Sequence, residues 1–447
     1  MAKQENNLIR PLGDDLVLRF SQRSDAQKLA AFSAKIHGEN ENLNSKAREG
    51  LAVWVKDLLR GGHPTFAEDG FTIVEDSKSG EIVSCMNSIP QMWRYEGIPI
   101  RVGRPEDVAT EETYRHRGLV RAQFEVIHEQ GRKRKELLQA ITGIPYYYRL
   151  FGYEMALELS GKQYCDALSV PKTTKEIQEK YRIRKASVED VGFISSLYRQ
   201  SAERYVMHCE HNADYITYEL QGKSAKSICH REIYIIQNQA QEALGFFWHY
   251  TMLEDEMLMV SYYELIPRAA WYEITPLVLQ HLWQVGQKLA KKQDTQCKAV
   301  GFALGSRHPA YDAAAAYFSH KRKPYAWYVR VDDLPTFLLT IAPCLNKRIA
   351  DSPFAQFDET VHITMYAKDL KMKFVKGKLE KAWEEKPGRW EKAHVNLPGL
   401  TFLQLLFGYH SSQDLANAFP DAMIPDKYHA LFHYLFPQKT SLCEGID

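Results

Sequence analysis

Val108-Ala109-Thr110, Arg115-His116-Arg117-Gly118-Leu119-Val120 and Gly143-Ile144-Pro145-Tyr146-Tyr147-Tyr148-Arg149-Leu150-Phe151-Gly152-Tyr153 succeed one another within a single stretch of the chain. The first ends a short apolar strand predicted over residues 106–110. The second is a basic turn with a glycine, followed by a helix from Gly118 to about Arg134 and a strand over 138–142. The third is an aromatic loop. Gly118 opens a helix whose first N–H groups lack intrahelical partners, and glycine lets a ligand approach backbone closely. The helix dipole and the guanidinium groups of Arg115, Arg117 and Arg121 add positive potential at the same place, which suits a pyrophosphate. Tyr153, just past Phe151-Gly152, adds a phenol. With an ordinary pKa of about 10 it stays protonated at neutral pH and can donate to a departing thiolate of about 8.5. Tyr146, Tyr147 and Phe151 read as core.

Outward from this stretch, 447 residues call for two to four domains. Lys+Arg 57 against Asp+Glu 56 leaves a net charge of +1, so no whole-protein field draws the chain to nucleic acid or to an anionic membrane. The N-terminal MAKQENNLIRPLGDD has no apolar core of a secretory signal, and no apolar run approaches the roughly 18 residues of a membrane span. The seven cysteines are scattered and never spaced CxxC, which points to a reduced, cytoplasmic protein.

The organisation reads as α/β (α+β) in three blocks. Residues 1–160 hold a helix opened by Ser24-Asp25, strands at 71–75 and 81–86, and the stretch quoted above. Residues 161–180, polar and containing a proline, read as a linker. Residues 181–330 repeat the order: a helix opened by Ser187, strands at 243–252 and 256–265, and a helix over 274–291 carrying Leu277, Leu282 and Leu289. This suggests an internal duplication. Its corresponding helix start, Ile266 to Trp271, has no glycine-based basic turn and hence no cradle for a pyrophosphate. Residues 331–447 add strands at 360–366 and 371–375 and helices at 401–407, 412–419 and 427–435.

Residues 108–120 and 141–153 resemble motifs A and B of the GNAT acyltransferase superfamily. YRHRGLVRAQFEVIHEQ with ITGIPYYYRLFGYEMAL is similar to its tandem, Eis-type subfamily in particular. The resemblance implies two tandem GNAT domains, each a mixed, partly splayed β-sheet flanked by helices, the second degenerate, followed by a sterol-carrier-like α+β domain. It implies acetyl-CoA as cosubstrate. The amides of Val108, Ala109 and Thr110 would hold the pantetheine arm and thioester carbonyl. His116, Arg117, Gly118, Leu119, Val120 and Arg121, with Arg115 beside them, would cradle the pyrophosphate. Tyr148 and Arg149 would line the cofactor on its far side, and Tyr153 would protonate the CoA thiolate. The superfamily loop usually reads R/Q-x-x-G-x-G/A; Val120 stands at its last position, which a backbone cradle tolerates. The resemblance also implies a ring-like homo-oligomer, with the terminal carboxylate, here that of Asp447, entering the site as base. Glu106, on the strand before Val108, is the internal alternative.

The expected activity is direct transfer of an acetyl group to a primary amine, on a small molecule or a lysine, with no metal, nucleic acid or membrane partner. Residues 89–95 either line the acceptor pocket or form a core strand. His208-Cys209-Glu210-His211 and Cys229-His230 have poor spacing for zinc. His429 and His433 are spaced i, i+4, but Ala430 stands where an HExxH motif has glutamate. The alternative from another class is a non-catalytic acyl-CoA or lipid-binding protein, suggested by the apolar run 397–407.

Overall fold

The computed structural model of the chain describes residues 8–41 and 43–447; the first seven residues of the N-terminal stretch lie outside them. The first block contains β1 (Leu8–Gly13), β2 (Leu16–Phe20), β3 (Phe71–Asp76), β4 (Glu81–Tyr95), β5 (Ile98–Thr110), β6 (Leu138–Ile141) and β7 (Glu154–Leu159), with helices α1 (Ala26–Asn40), α2 (Ser45–Arg60) and α3 (Leu119–Lys133). Next come β8 (Lys162–Asp166), β9 (Tyr181–Lys185), β10 (Met207–Cys209), β11 (Arg231–Asn238), β12 (Ala243–Tyr250), β13 (Met257–Leu265), β14 (Ala299–Phe302), β15 (His320–Arg322) and β16 (Tyr325–Arg330). Their helices are α4 (Lys175–Lys180), α5 (Val191–Ser201), α6 (Ala213–Thr217), α7 (Trp271–Gln293) and α8 (Pro309–Ala313). The last block holds α9 (Leu334–Ala350), β17 (Thr360–Thr364), β18 (Asp369–Val375), β19 (Lys378–Glu385), β20 (Val395–Asn396), α10 (Thr401–Leu406), α11 (Ser412–Ala418) and α12 (Asp426–Leu435).

The spine is the long hairpin β4–β5. Glu96 and Gly97 both have positive φ, at 43° and 87°, and a two-residue turn of that hand matches the twist of the strands it joins. Residues 82–89 of β4 are all buried, as expected of a strand covered on both faces. Leu29 and Phe32 of α1 and Val55 and Leu58 of α2 pack on one face with Ile73, Cys85 and Ile89. Leu119 and Val126 of α3 pack on the other with Val74 and Val83. Residues 89–95 are therefore core strand: Ile89, Trp93 and Tyr95 are inaccessible to solvent.

Two mixed sheets follow the same plan. The first runs β1-β2-β3-β4-β5-β6-β16-β7, with β10 extending the edge of β4; the second runs β15-β8-β14-β13-β12-β11-β9. In each, antiparallel strands lead to one parallel pair, β5 with β6 and β13 with β14, and then to two antiparallel partners. The next-to-last strand is exchanged between them. β8 leaves the first block to pair with β14 and β15, and β16 leaves the second to lie between β6 and β7. The segment 161–180, expected to be a linker, thus carries a sheet strand and the short helix α4. Its five-residue strand is half exposed, and its hydrogen-bonding partners lie more than a hundred residues away, so no local pattern marked it.

The third sheet, β19-β18-β17-β20, packs on α9. The sequence pattern does not reveal α9, because Pro343 argues against a helix interior, although Pro335 suits a first turn. The apolar stripe Phe337, Leu338, Ile341, Leu345 and Ile349 outweighs Pro343, with Asp333 capping the first turn through Thr336 N. These side chains form one core with Trp93 and Val102 of the first sheet and Phe374 and Phe402 of the third block. Among the described residues all seven cysteines are free, and no helix is long and apolar enough to cross a membrane. Phe337→Ala, which empties the centre of this shared core, is expected to lower unfolding stability by about 3–5 kcal/mol, measured by denaturant titration.

Candidate active site

The parallel pair at the centre of the first sheet is brief. β5 and β6 are joined only at Val102 with Leu138 and Gly103 with Gln139; beyond these they part. A bulge bends β5 at the parting: Cys85 faces Ala109 and Asn87 faces Glu106, so Asp107 and Val108 together stand opposite Met86. Asp107 adopts φ 54°, and α1 holds it there. Its Oδ1 accepts a hydrogen bond from Ser33 Oγ at 2.6 Å and lies 3.0 Å from His37 Nε2. His37 Nδ1 contacts Glu41 at 2.8 Å. Burial of His37 opposes its charge, but the carboxylates of Asp107 and Glu41 prevail and raise its pKa to about 10.

Beyond the bulge a cleft of about 500 Å³ opens. One wall is Val108, Thr110, Arg115, His116, Gly118, Leu119, Val120 and Arg121; Ile144, Tyr147, Leu150 and Phe151 form the other. His116 and Gly118 both have left-handed φ, 64° and 76°. They turn the chain so that the first amides of α3, a 15-residue helix, face the cleft. A Cβ added at Gly118 would meet nothing within 4 Å, so glycine is needed there for its backbone angle rather than for space. Arg115 is steadied by Thr110 O and Asn40 Oδ1, and Arg121 lies over the Phe151 ring.

Four residues expected at the cofactor are not on this wall. Ala109 is buried under α1 and α2, and Arg117 lies over the Tyr114 ring. Arg149 is ion-paired with Glu154 of β7 at 2.6 Å. Tyr148 is buried behind the wall residues Tyr147 and Phe151 of its own turn. Conversely Tyr147 and Phe151, expected to be core, are cleft wall, and Tyr146 is 67% exposed.

The two phenols of the aromatic loop face different ways. Tyr153 is wholly buried, and its hydroxyl is hydrogen-bonded to His128 Nε2 of α3 at 3.0 Å. Burial followed by the charge of Arg330 lowers the His128 pKa to about 3, leaving a neutral ring. Burial also pushes the Tyr153 hydroxyl upward. This phenol is engaged against the helix and does not line the cleft. Tyr148 sits on the single turn Tyr147–Phe151. Its hydroxyl lies near Gly143, where the loop leaves β6, and has no hydrogen-bonding partner among the described residues. Burial, and after it the nearby Glu106 carboxylate, keeps Tyr148 protonated well above its ordinary range.

Glu106 belongs to a buried ionic chain. Arg104 Nη2 lies 2.7 Å from Glu106, and Arg104 Nη1 contacts Asp447 Oδ1 at 2.6 Å. Arg231 of β11 contacts Asp447 Oδ2 at 2.6 Å. Gln91 Nε2 and Arg104 both donate to Ile446 O, and Arg231 donates to Gly445 O. Asp447 therefore does reach the first sheet. Burial disfavours its charge, but Arg104 and Arg231 hold its side chain far below the usual carboxylate range. That side chain, paired with Arg104 and Arg231, anchors the tail to the first sheet. Glu106 is the opposite case: burial raises its pKa, Arg104 resists, and Asp447 adds to the rise.

The corresponding corner of the second sheet holds a smaller pocket of about 160 Å³, without a glycine-based basic turn. Trp271, the first residue of α7, packs edge-on against Tyr263 at 4.9 Å and against His308, while Arg204 is ion-paired with Glu264. His208 and His211 are buried beside the Tyr198 ring. No group of three possible metal ligands occurs among the described residues.

Because the folded-state pKa of His37 lies above its ordinary value of 6.5, its contribution to stability is complete below about pH 6.5. It declines as pH rises toward about 10. Thermal midpoints should fall across that interval, with a shallower slope in His37→Gln.

Residues 23–156 match the model of the acetyltransferase (GNAT) domain. No curated protein matches the chain in sequence. Among solved structures, the chain resembles a probable N-acyltransferase of Enterococcus faecalis at 14% identity, with 97% of this chain and 100% of that one covered and a TM-score of 0.63. It resembles a GCN5-related N-acetyltransferase of Kribbella flavida at 16% identity, covering 96% and 97%, TM-score 0.61. Eis1 of Mycobacterium abscessus follows at 13% identity, covering 95% and 98%, TM-score 0.57. At these identities the likenesses establish the fold. The protein is an enzyme carrying an acetyltransferase (GNAT) domain in residues 23–156.

Proposed function

We propose that the protein is an acetyl-CoA-dependent N-acetyltransferase that transfers the acetyl group directly to a primary amine, with Tyr148 rather than Tyr153 as proton donor. The observation that carries this reading is the cleft itself. A basic, left-handed turn at the start of α3 faces an apolar wall, and the buried phenol of Tyr148, on the same turn as Tyr147 and Phe151 of that wall, lies close enough to Glu106 to feel its charge. The amides of residues 119–121 and the guanidinium groups of Arg115 and Arg121 bind the pyrophosphate. Pantetheine runs inward along Val108 and Thr110, with Ile144, Tyr147 and Leu150 against its apolar atoms.

Glu106 takes a proton from the acceptor ammonium, and the freed nitrogen attacks the thioester carbonyl. The amide of Val108, carried on the bulge, stabilises the developing oxyanion. Collapse breaks the C–S bond, and the departing thiolate receives its proton from Tyr148. That phenol is replenished, through solvent, by the second proton lost from nitrogen. The products are the acetylamide and CoA thiol, with no covalent acyl-enzyme. The Asp447 side chain holds Arg104, which in turn holds Glu106.

The sterol-carrier-like reading of residues 331–447 rests on the resemblance alone. Its apolar run is core, with Leu397, Phe402, Leu405 and Phe407 inaccessible to solvent, which favours the enzyme over a lipid-binding protein. The cytoplasmic location rests on the scattered cysteines, and the homo-oligomeric assembly on the resemblance.

CoA thiol release with a panel of amines tests the assignment. Tyr148→Phe should lower kcat by about 10²–10⁴-fold, whereas Tyr153→Phe keeps most of the activity; the reverse order would restore Tyr153 as donor. Activity should also rise with pH along an acid limb set by Glu106, displaced above the ordinary 4.5. That limb should be absent in the residual rate of Glu106→Gln.

A further inference from the structure

The turn that carries Tyr148 is held from outside its own half of the molecule. Tyr146, its first flanking residue, has φ 68°, a left-handed conformation that a bulky aromatic residue rarely adopts. Its own side chain does little to keep it there, being mostly exposed with only Arg149 over the ring. The constraint comes from β16. Tyr328, inaccessible to solvent, accepts the Tyr146 N–H on its hydroxyl at 2.5 Å. Tyr146 O in turn accepts Arg149 N and closes the turn. The Tyr328 ring also meets the Tyr148 ring edge-on, 5.5 Å between centroids at 67°. Nearby, the Tyr325 hydroxyl reaches Gly143 O at 3.5 Å. One strand therefore touches the loop at its entry, at its left-handed residue and on the face of its phenol. That strand follows the second sheet in sequence, 182 residues beyond Tyr146.

We propose that Tyr328 is a positioning residue for acyl transfer: by fixing the left-handed start of the turn and packing against Tyr148, it aims the Tyr148 hydroxyl at the inner end of the cleft. The strand exchange then has a catalytic consequence, since proton delivery to the leaving group depends on a residue contributed from beyond the second sheet. The cofactor wall itself does not include Tyr328, so the effect belongs in turnover rather than in acetyl-CoA binding.

This inference rests on Tyr148 being the proton donor, and the experiment separates the two. Steady-state kinetics with acetyl-CoA and one accepted amine are compared for wild type, Tyr328→Phe, Tyr148→Phe and the double variant. Rates are expressed per site titrated with CoA, so that partial unfolding cannot pass for lost turnover. Tyr328→Phe keeps the ring and removes the acceptor oxygen. The expected result is a kcat lower by about tenfold, with KM for acetyl-CoA within about twofold, since small misplacement of a reacting group slows chemistry more than binding. In the Tyr148→Phe background the same change should cost nothing further, because the group it aims is gone. Wild-type kcat in Tyr328→Phe, or an equal loss in both backgrounds, overturns the positioning role while leaving Tyr148 in place. Full activity in Tyr148→Phe overturns the donor assignment, and the inference with it.

Discussion

Beyond Gly103, β5 leaves β6, and from there β6 is held in the sheet by its opposite edge, on β16: Ile141 with Tyr328, Ala140 with Val329, Gln139 with Arg330. Buried peptide groups need such partners, so opening a gap inside a sheet requires a strand to satisfy its far side. The chain meets that requirement with a strand from its second half and returns β8 to the second sheet. Each sheet therefore completes the other. The cleft exists because one parallel pair is interrupted, and it keeps its shape because the interruption is supported from a distance.

The near side of the gap is supported differently. The bulge at Asp107 and Val108 is tied to α1 through Ser33 and His37, with Glu41 completing the charge pattern. The same strand meets the tail through Arg104, Asp447 and Arg231, a buried set in which each charge faces an opposite one. Removing one member of such a set leaves an uncompensated charge and destabilises strongly. Such ties favour rigidity at the inner end of the cleft, where Glu106 stands, over the open rim formed by Ile144 and Leu150.

Much of the first block was legible in sequence. The helix start at Gly118 was placed within one residue, because a glycine after a basic turn has a definite backbone meaning. The strands 71–75 and 138–142 were found because apolar β-rich runs bounded by polar turns are local signals. The two tandem sheets lay where periodicity placed them, and eight of the residues singled out in the motif line one cleft. α9 was missed because its prolines are local and its buried stripe is a tertiary matter. β8 was missed because its partners are remote.

The choice between Tyr148 and Tyr153 shows the limit most sharply. Both phenols belong to one aromatic loop, and position in the motif together with the family resemblance assigned the donor to Tyr153. Two left-handed residues, Tyr146 and Gly152, bracket the turn between them. The sequence by itself determined the chemistry available here: a basic glycine turn, phenols and a carboxylate along one strand–helix–strand unit. Only the tertiary structure decided which phenol is tied to His128 of α3 and which packs on Tyr328 of β16, since a hydrogen bond between residues 146 and 328 leaves no periodic trace in either segment.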